Sequence, residues 1–222
     1  MNHIATQPSK ARNLVPNMPS FLGPHDASKL GAGGVWYGGT KRLPPTVWRV
    51  EWPKEVKDSL ISDHNPKGKI TNSDLELAGQ ILQMLVLEGM IDLEDQHTLT
   101  SCDNTPTVAW VSKLCCSKSL VATNLLKIWG SRMLHAKIPR PMIHYIQGQS
   151  NTLADFASRK FNKKTTNGIQ QPISDYEFLT QFNSKFPLPQ NQSWRLFRLN
   201  GTVTSRVIAV LLTKPSSVAS WR

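Results

Sequence analysis

Residues 21–39 read FLGPHDASKLGAGGVWYGG, and the fold depends on how this stretch is interpreted. A short apolar run ends at Asp26, and glycines follow at positions 31, 33 and 34. The pattern is typical of a plain turn between two strands. It is also typical of a strand that ends in a metal-binding carboxylate, beside a loop whose glycines let a nucleic acid approach closely. The choice between these two interpretations depends on the residues elsewhere in the chain.

The segments on the carboxyl-terminal side of this stretch predict a three-stranded meander. GGVWYGG (33–39) and PTVWRVEW (45–52) are rich in Val and Trp and are separated by turn residues, so both are predicted strands. Between residues 53 and 71 lies a long connection, which we interpret as an insertion.

Helices then alternate with strands. TNSDLELAGQILQMLVLEG (71–89) predicts a helix with Ser73 as its N-cap and Glu76 as the capping-box acid. The later elements are a strand at 97–103, helices at 104–114 and 119–135, a strand at 141–148 and a helix at 150–161. The order predicts an α/β fold, a mixed five-stranded sheet of a meander plus parallel strands, flanked by helices.

Composition divides the chain of 222 residues into three parts. Residues 1–18 are polar with scattered prolines, which predicts a disordered segment. Residues 19–162 are predicted to form the folded domain, and residues 163–222 a basic C-terminal extension. Charge is also distributed unevenly. Residues 160–222 hold 9 basic and 2 acidic residues, whereas residues 1–159 hold 17 basic and 13 acidic residues.

The net charge of +11 favours a polyanionic partner, nucleic acid above all. The three cysteines match neither a zinc spacing nor a disulfide framework, which indicates a reducing compartment. We find no signal peptide and no apolar run long enough to span a bilayer, so an intracellular location, cytoplasm or nucleus, is expected and a membrane partner is not.

Four acids occupy related places in the predicted topology. Asp26 and Asp103 end the first and fourth strands, while Glu76 and Asp155 lie in the first turns of helices. If the two strands are neighbours, their backbones lie about 5 Å apart and the aspartates sit side by side. Each acid alone is also explained as a turn, cap or solvated residue. Together they form a ring of like charges that hard divalent cations such as Mg²⁺ would relieve.

Four segments in this order resemble the ribonuclease H domain of retroelement reverse transcriptases. They are DASKLGAGGVW (26–36), ITNSDLELAGQIL (70–82), CDNTPTVAWV (102–111) and YIQGQSNTLADFASR (145–159). The last looks most like the gypsy-class pattern, and the second and third look similar to DIRS-like elements. The resemblance covers about residues 20–162.

The resemblance implies endonucleolytic hydrolysis of RNA in RNA–DNA hybrids with two Mg²⁺ ions, for which Mn²⁺ can substitute. It assigns catalysis and metal binding to Asp26, Glu76, Asp103 and Asp155. Asp74 is a rival for the helix acid, but Glu76 has the Leu-x-Ala context of the family. The resemblance also implies nucleic-acid contacts at Ser28, Lys29, Asn72, Ser73, Asn104 and Gln149.

Some residues depart from the family pattern. Gln149 stands where cellular ribonucleases H carry a loop histidine, and His144 is predicted to be a packed or edge residue of a strand instead. Pro24 removes a ladder donor two residues before Asp26, which predicts a weak first strand. No polymerase motif is present, so the chain resembles a detached part of a polyprotein whose partner would be the polymerase of a reverse transcriptase.

Three other interpretations are consistent with the sequence. The same fold could be an inactive remnant that binds nucleic acid without cutting it. It could carry another nuclease chemistry, although the motifs around Asp26 and Asp155 disagree with proofreading exonucleases and integrases. The chain could also be a metal-free structural domain. The aromatic residues of the extension could stack on nucleic acid, but packing against the domain is expected.

Overall fold

The computed structural model describes residues 18–38, 43–164 and 168–213. Its strands are β1 Phe21–Ala27, β2 Gly31–Gly38, β3 Thr46–Glu51, β4 Thr98–Cys102, β5 Met142–Tyr145, β6 Asn162–Lys164, β7 Gln170–Pro172 and β8 Arg195–Phe197. Its α-helices are α1 Lys54–Asp58, α2 Asn72–Glu88, α3 Thr105–Lys113, α4 Leu120–His135, α5 Thr152–Arg159, α6 Asp175–Lys185 and α7 Gly201–Leu212, with a 3-10 turn at Gly148–Ser150. The predicted disordered segment lies outside the described residues except for Met18.

The main sheet has the strand order β5-β4-β1-β2-β3-β8. Strands β1, β2 and β3 pair antiparallel as a meander, and β4 and β5 continue the sheet parallel to β1. The predicted mixed sheet with flanking helices is therefore confirmed, and the first and fourth strands are neighbours, which is the condition for placing Asp26 beside Asp103. The predicted number of five strands is wrong by one, because β8 pairs parallel to β3 at the other edge.

The alternation of side chains along the central strands supplies a core on each face of the sheet. Trp36 and Trp48 point towards α2, in the larger core that also includes α4 and α7. Val35 and Val47 point to the opposite face, where residues of α5 and α6 cover them. Helices thus cover both faces of the sheet, as expected for a mixed α/β architecture.

The extension beyond residue 162 contributes to both cores. Phe178, Phe182 and Trp194 are buried against α5 and the sheet, so these three aromatic residues pack as expected. Val207 and Leu211 of α7 join the larger core beneath α2 and α4. A two-stranded ribbon of β6 and β7 connects the end of α5 to α6.

Helix α2 begins earlier than the sequence suggested. Thr71 is the N-cap, and its side chain and backbone form a reciprocal capping box with Asp74. The predicted N-cap at Ser73 is therefore wrong, and Glu76 is not the capping-box acid. Threonine is also a favoured N-cap residue, and here Asp74 completes its capping box, so the helix begins two residues before the predicted position within TNSDLE.

Strand β1 contains the predicted irregularity, and a glutamine from α2 compensates for it. The ladder between β1 and β2 omits Gly23 and Pro24, since proline has no N–H to donate. Gln83 reaches this gap from α2 and donates from Nε2 to the carbonyl oxygen of Val35 at 2.9 Å. A Cβ on Gly23 would lie 2.5 Å from that nitrogen, so the glycine makes room for it. The Gln83 Oε1 accepts a hydrogen bond from the Trp48 indole.

None of the helices in the described part of the chain is both long and apolar enough to cross a lipid bilayer.

We predict that Gln83→Leu lowers the free energy of unfolding by about 2–4 kcal/mol, because it leaves the Val35 carbonyl and the Trp48 indole without their buried partner. Denaturant unfolding of the purified variant measures this change. Gln171→Leu replaces an exposed glutamine of β7 and is the matched control. Equal stability of the two variants would contradict the role assigned to Gln83.

Candidate metal centre

Three carboxylates from three different elements converge at one end of the sheet. Asp26 lies near the end of β1, Glu76 in the second turn of α2, and Asp103 directly after β4. One carboxylate oxygen of each lies within 4.8 Å of those of the other two. Asp26 and Glu76 are each 2% exposed, whereas Asp103 is half-buried and opens the group towards solvent. We call these three residues the acidic cluster.

The parallel pairing of β1 and β4 places the two aspartates. Pro24 is paired with Ser101, so continuing the same register by two residues sets Asp26 beside Asp103. Parallel strands deliver residues at their carboxyl ends to the same edge of a sheet, where ligands commonly bind in such folds. The weak first strand therefore does not displace Asp26 from its neighbour.

Of the two acids in the first turns of α2, only Glu76 reaches the cluster. Asp74 is fully buried and accepts hydrogen bonds from the Thr71 backbone and hydroxyl, both at 2.8 Å, and from the Ser119 hydroxyl at 2.5 Å. Its carboxylate is thus committed to capping and to fixing the start of α4. Glu76 accepts one hydrogen bond from the Ala27 N–H at 3.2 Å, which anchors it to the end of β1.

Asp155 is near the cluster but does not join it. Its carboxylate forms an ion pair with Arg159, one turn later on α5, with 2.5 Å between Nε and Oδ1. Asp155 nevertheless raises the pKa of Asp26 through charge repulsion, and Arg159 lowers it. The structure thus groups three of the four predicted acids and pairs the fourth with a cation beside them.

Burial and mutual repulsion disfavour negative charge in the cluster. Burial, together with the neighbouring charges of Asp26 and Asp103, raises the pKa of Glu76 to about 9. Burial likewise raises the pKa of Asp26 to about 6, while a hydrogen bond from Ser158 opposes the increase. A divalent cation would relieve this cost, and three carboxylates are the oxygen ligands that hard cations prefer. The residues therefore fit a metal ion such as Mg²⁺.

Sequence reasoning missed two buried residues that fix the geometry around Asp26. Ser158 of α5 donates a hydrogen bond from Oγ to Asp26 Oδ2, and its carbonyl accepts one from the Ser28 hydroxyl at 2.8 Å. Asn151, just before α5, donates from Nδ2 to the His25 carbonyl at 2.9 Å. Both residues belong to segment 145–159, which carries the family resemblance. Their positions could therefore be identified from the sequence, whereas their contacts could not.

His25, next to Asp26, is also absent from the sequence predictions. Its side chain is completely buried; the backbone of Glu76 lies close enough to counteract part of the pKa change, but neither ring nitrogen makes a well-formed hydrogen bond among the described residues. Burial lowers its pKa to about 3, so the imidazole is neutral and adds no positive charge to the cluster. Asp26 consequently depends on Ser158, on the nearby Arg159 and on an external cation for stabilisation of its charge.

The six residues expected to contact nucleic acid fall into two groups. Lys29, Asn72 and Gln149 are exposed, in the turn after β1, at the start of α2 and in the 3-10 turn respectively. Ser28 and Asn104 make internal hydrogen bonds: Asn104 is the N-cap of α3, and Ser28 closes the turn after β1. Ser73 is half-buried, and its carbonyl accepts a hydrogen bond from Thr107 at 3.3 Å.

Gln149 was expected at the position of the family's loop histidine, and the loop that carries it lies against the acidic cluster. A Cβ on Gly148 would lie 2.7 Å from Asp103 Oδ2, so this 3-10 turn closely approaches the carboxylate. Gln149 follows in the same turn and is exposed. His144 lies in the edge strand β5 and is also exposed, which agrees with its prediction as an edge residue.

Comparison with solved structures finds ribonuclease H1 domains. LC11-RNase H1 in complex with an RNA/DNA hybrid has 18% identity and a TM-score of 0.42, and it covers 62% of this chain and 92% of its own. RNase H1 from the halophilic archaeon Halobacterium salinarum has 12% identity and a TM-score of 0.41, with 62% and 92% covered. The N-terminal RNase H domain of Rv2228c from Mycobacterium tuberculosis has 14% identity and a TM-score of 0.41, with 62% and 88% covered.

No family model matches the sequence, and no curated protein matches it either.

We predict that the protein in EDTA loses stability as the pH rises from about 6.5 to about 9. Folded Glu76 keeps its proton up to a pKa of about 9, whereas its ordinary pKa is 4.5, so the folded state binds more protons across this range. Below that range two groups act in opposite directions: Asp26, with its pKa raised from 3.8 to about 6, lowers stability as the pH rises, and His25, with its pKa lowered from 6.5 to about 3, increases it. Thermal unfolding at several pH values measures the effect.

The variant Glu76→Gln should flatten the decrease above pH ~6, because its amide stays neutral at every pH. Glu55→Gln, at an exposed glutamate of α1, is the control and should retain the wild-type slope. A wild-type slope in Glu76→Gln would show that Glu76 is not the group that titrates.

Proposed function

We propose that the chain is a ribonuclease H of retroelement origin that cleaves the RNA strand of RNA–DNA hybrids. The observation that carries the proposal is the convergence of Asp26, Glu76 and Asp103 within 4.8 Å in a setting where burial disfavours their charge. The motif order supplies the second support, since all three acids lie in the segments that resemble this family. The basic charge of the chain suits a polyanionic substrate.

The acidic cluster would hold the divalent ion that the reaction needs. When bound, Mg²⁺ at such a site activates a water for in-line attack on a phosphodiester and stabilises the leaving oxygen. Asp155 would contribute to a second ion, which requires its carboxylate to release Arg159. Mn²⁺ has similar ligand preferences and would substitute.

The chain's own residues orient the carboxylates. Ser158 restrains Asp26 through its hydroxyl, and the Ala27 N–H restrains Glu76, so both side chains are held before any ligand arrives. Such preorganisation lowers the cost of assembling a charged site. Lys29, Asn72 and Gln149 are exposed around the cluster's loops and would contact the hybrid, where the 2′-hydroxyl distinguishes RNA from DNA.

The retroelement origin is part of the same proposal. It rests on the resemblance of segment 145–159 to the gypsy-class pattern and of segments 70–82 and 102–111 to DIRS-like elements. On this basis, the partner of the domain would be the polymerase part of a reverse transcriptase in the parent polyprotein.

One observation favours a second candidate function, an inactive remnant that binds nucleic acid. Asp155 is paired with Arg159 and lies outside the acidic cluster, so the fourth carboxylate is not in place. A remnant would keep the fold and the charge but would not cut. The test below separates the two candidates.

We predict Mg²⁺-dependent cleavage of the RNA strand in a labelled RNA–DNA hybrid by the wild-type chain, with no cleavage in EDTA. Asp26→Asn, Glu76→Gln and Asp103→Asn should each reduce the rate by at least about a hundredfold, because each removes a charged ligand of the metal site. Gel analysis of time courses measures the rates.

The control for these variants is Asp92→Asn, which changes an exposed aspartate outside the cluster and should cut as wild type does. Hybrid binding by a wild-type chain that never cleaves would favour the remnant. Undiminished cleavage in all three cluster variants would contradict the assignment of the site.

We further predict that Ser158→Ala weakens Mg²⁺ binding or cleavage about 10- to 100-fold, because the Asp26 carboxylate loses the group that orients it. Alanine fits the space of the buried serine, but the buried Asp26 carboxylate loses a hydrogen-bond partner, so the free energy of unfolding should fall by about 1–3 kcal/mol. Calorimetric titration with Mg²⁺ measures affinity. Ser205→Ala, at an exposed serine of α7, is the control, and equal affinities of the two variants would contradict the positioning role.

A further inference from the structure

Arg49 is a buried cation of β3 that lies beneath the end of α5. It is paired across the sheet with Gly33 of β2, whose missing Cβ makes room for this helix. Its side chain is only 9% exposed, and its guanidinium carbon lies 4.2 Å from the ring centroid of Phe178 and 5.6 Å from that of Phe161. Two aromatic rings therefore hold the guanidinium in place. The proposed catalysis leaves this charge without a role.

The guanidinium caps the carboxyl end of α5. Its Nη1 donates to the carbonyl oxygen of Lys160, the C-cap residue, at 2.7 Å. The last carbonyls of a helix have no partner within the helix, and a cation at this end also interacts favourably with the helix dipole. The other end of the helix is tied to β1, since Asn151 donates to the His25 carbonyl. Helix α5 is thus held against the sheet at both ends.

The other terminal nitrogen of the same guanidinium contacts the C-terminal extension. Nη2 of Arg49 donates to the Ile173 carbonyl and to Asp175 Oδ1, both at 3.0 Å. Asp175 also accepts a hydrogen bond from Arg198 Nε at 2.6 Å. Burial opposes the charge of Asp175, but the hydrogen bonds from the two arginines outweigh burial and keep its pKa below the ordinary value of 3.8. The Asp175 carboxylate is therefore ionised at neutral pH and pairs with Arg49.

The end of α5 that Arg49 caps is the part that supports the acidic cluster. Ser158 donates to Asp26 from the last turn of α5, two residues before Lys160. Arg49 therefore connects this turn to the extension. A shift of the turn by about 1 Å would carry the Ser158 hydroxyl out of range of the carboxylate, because O–H···O hydrogen bonds span only about 2.5–3.0 Å.

We propose that Arg49 is a positioning residue of the acidic cluster. By tying the last turn of α5 to the extension, it keeps Ser158 against Asp26 and so increases the affinity of the cluster for a divalent ion. The extension is then part of the functional unit, although the resemblance to ribonuclease H ends at about residue 162. The inference rests on the proposed function in one respect, since it takes a divalent ion as the ligand of the cluster.

The test compares Mn²⁺ binding by variants of the full chain, measured by electron paramagnetic resonance of the free ion. Arg49→Gln should weaken Mn²⁺ binding about 10-fold, as expected when a metal site loses an outer support. Arg132→Gln is the matched control, because it removes a partly buried arginine that donates two hydrogen bonds to Glu88, near the carboxyl ends of α2 and α4. It should leave the affinity within about twofold of wild type.

A double variant separates positioning from a general loss of stability. If Arg49 acts through Ser158, adding Arg49→Gln to Ser158→Ala should weaken Mn²⁺ binding by no more than about a further twofold. Independent roles would multiply the two losses instead. Asp175→Asn keeps the guanidinium and weakens its tie to the extension, so it should weaken Mn²⁺ binding about threefold. This variant takes the place of Arg49→Gln in the same comparison if the latter does not fold.

Hydrogen exchange in EDTA, followed by mass spectrometry, examines the positioning without any metal. The amides of residues 152–160 should exchange faster in Arg49→Gln and in Asp175→Asn than in wild type, and at the wild-type rate in Arg132→Gln. Wild-type exchange in both Arg49→Gln and Asp175→Asn, wild-type Mn²⁺ affinity in both, or losses that multiply in the double variant would each overturn the inference. Faster exchange in a chain that never binds Mn²⁺ would support the positioning by Arg49 and contradict only the proposed metal centre.

Discussion

The close seating of α5 on the β1–β2 hairpin is the constraint on which the site depends. A Cβ on Gly33 would lie 2.6 Å from Ala157, so only glycine at this position of β2 lets the helix approach so closely. At that distance Ser158 reaches Asp26, and Asn151 reaches the backbone of His25. Gly33 of the glycine-rich stretch therefore serves the approach of the protein's own helix.

The same packing explains the electrostatic character of the acidic cluster. Burial removes Asp26 and Glu76 from water while their carboxylates face one another and Asp103, which raises the pKa of both. A protein gains nothing in stability from such an arrangement without a cation. The folded core around α2 and the sheet has to supply the free energy that holds the carboxylates together, and a metal ion would return part of it on binding.

The sequence was sufficient for features set by local pattern and insufficient for those set by tertiary contact. The meander, the parallel pairing of β1 and β4, and the placing of Asp26 beside Asp103 follow from strand patterns and strand ends. The sixth strand could not be predicted, because β8 has three residues and no periodicity. The role of Gln83 could not be predicted either. A glutamine within an apolar helix has no evident function until the gap in the β1–β2 hydrogen-bond ladder at Pro24 is known.

The central claim is that the acidic cluster holds a divalent ion, and anomalous diffraction from crystals soaked in Mn²⁺ tests it most directly. The account predicts a strong anomalous peak bounded by the carboxylates of Asp26, Glu76 and Asp103, and loss of that peak in Glu76→Gln crystals. Well-ordered wild-type crystals with no peak at the cluster, or with manganese only at other carboxylates, would contradict it.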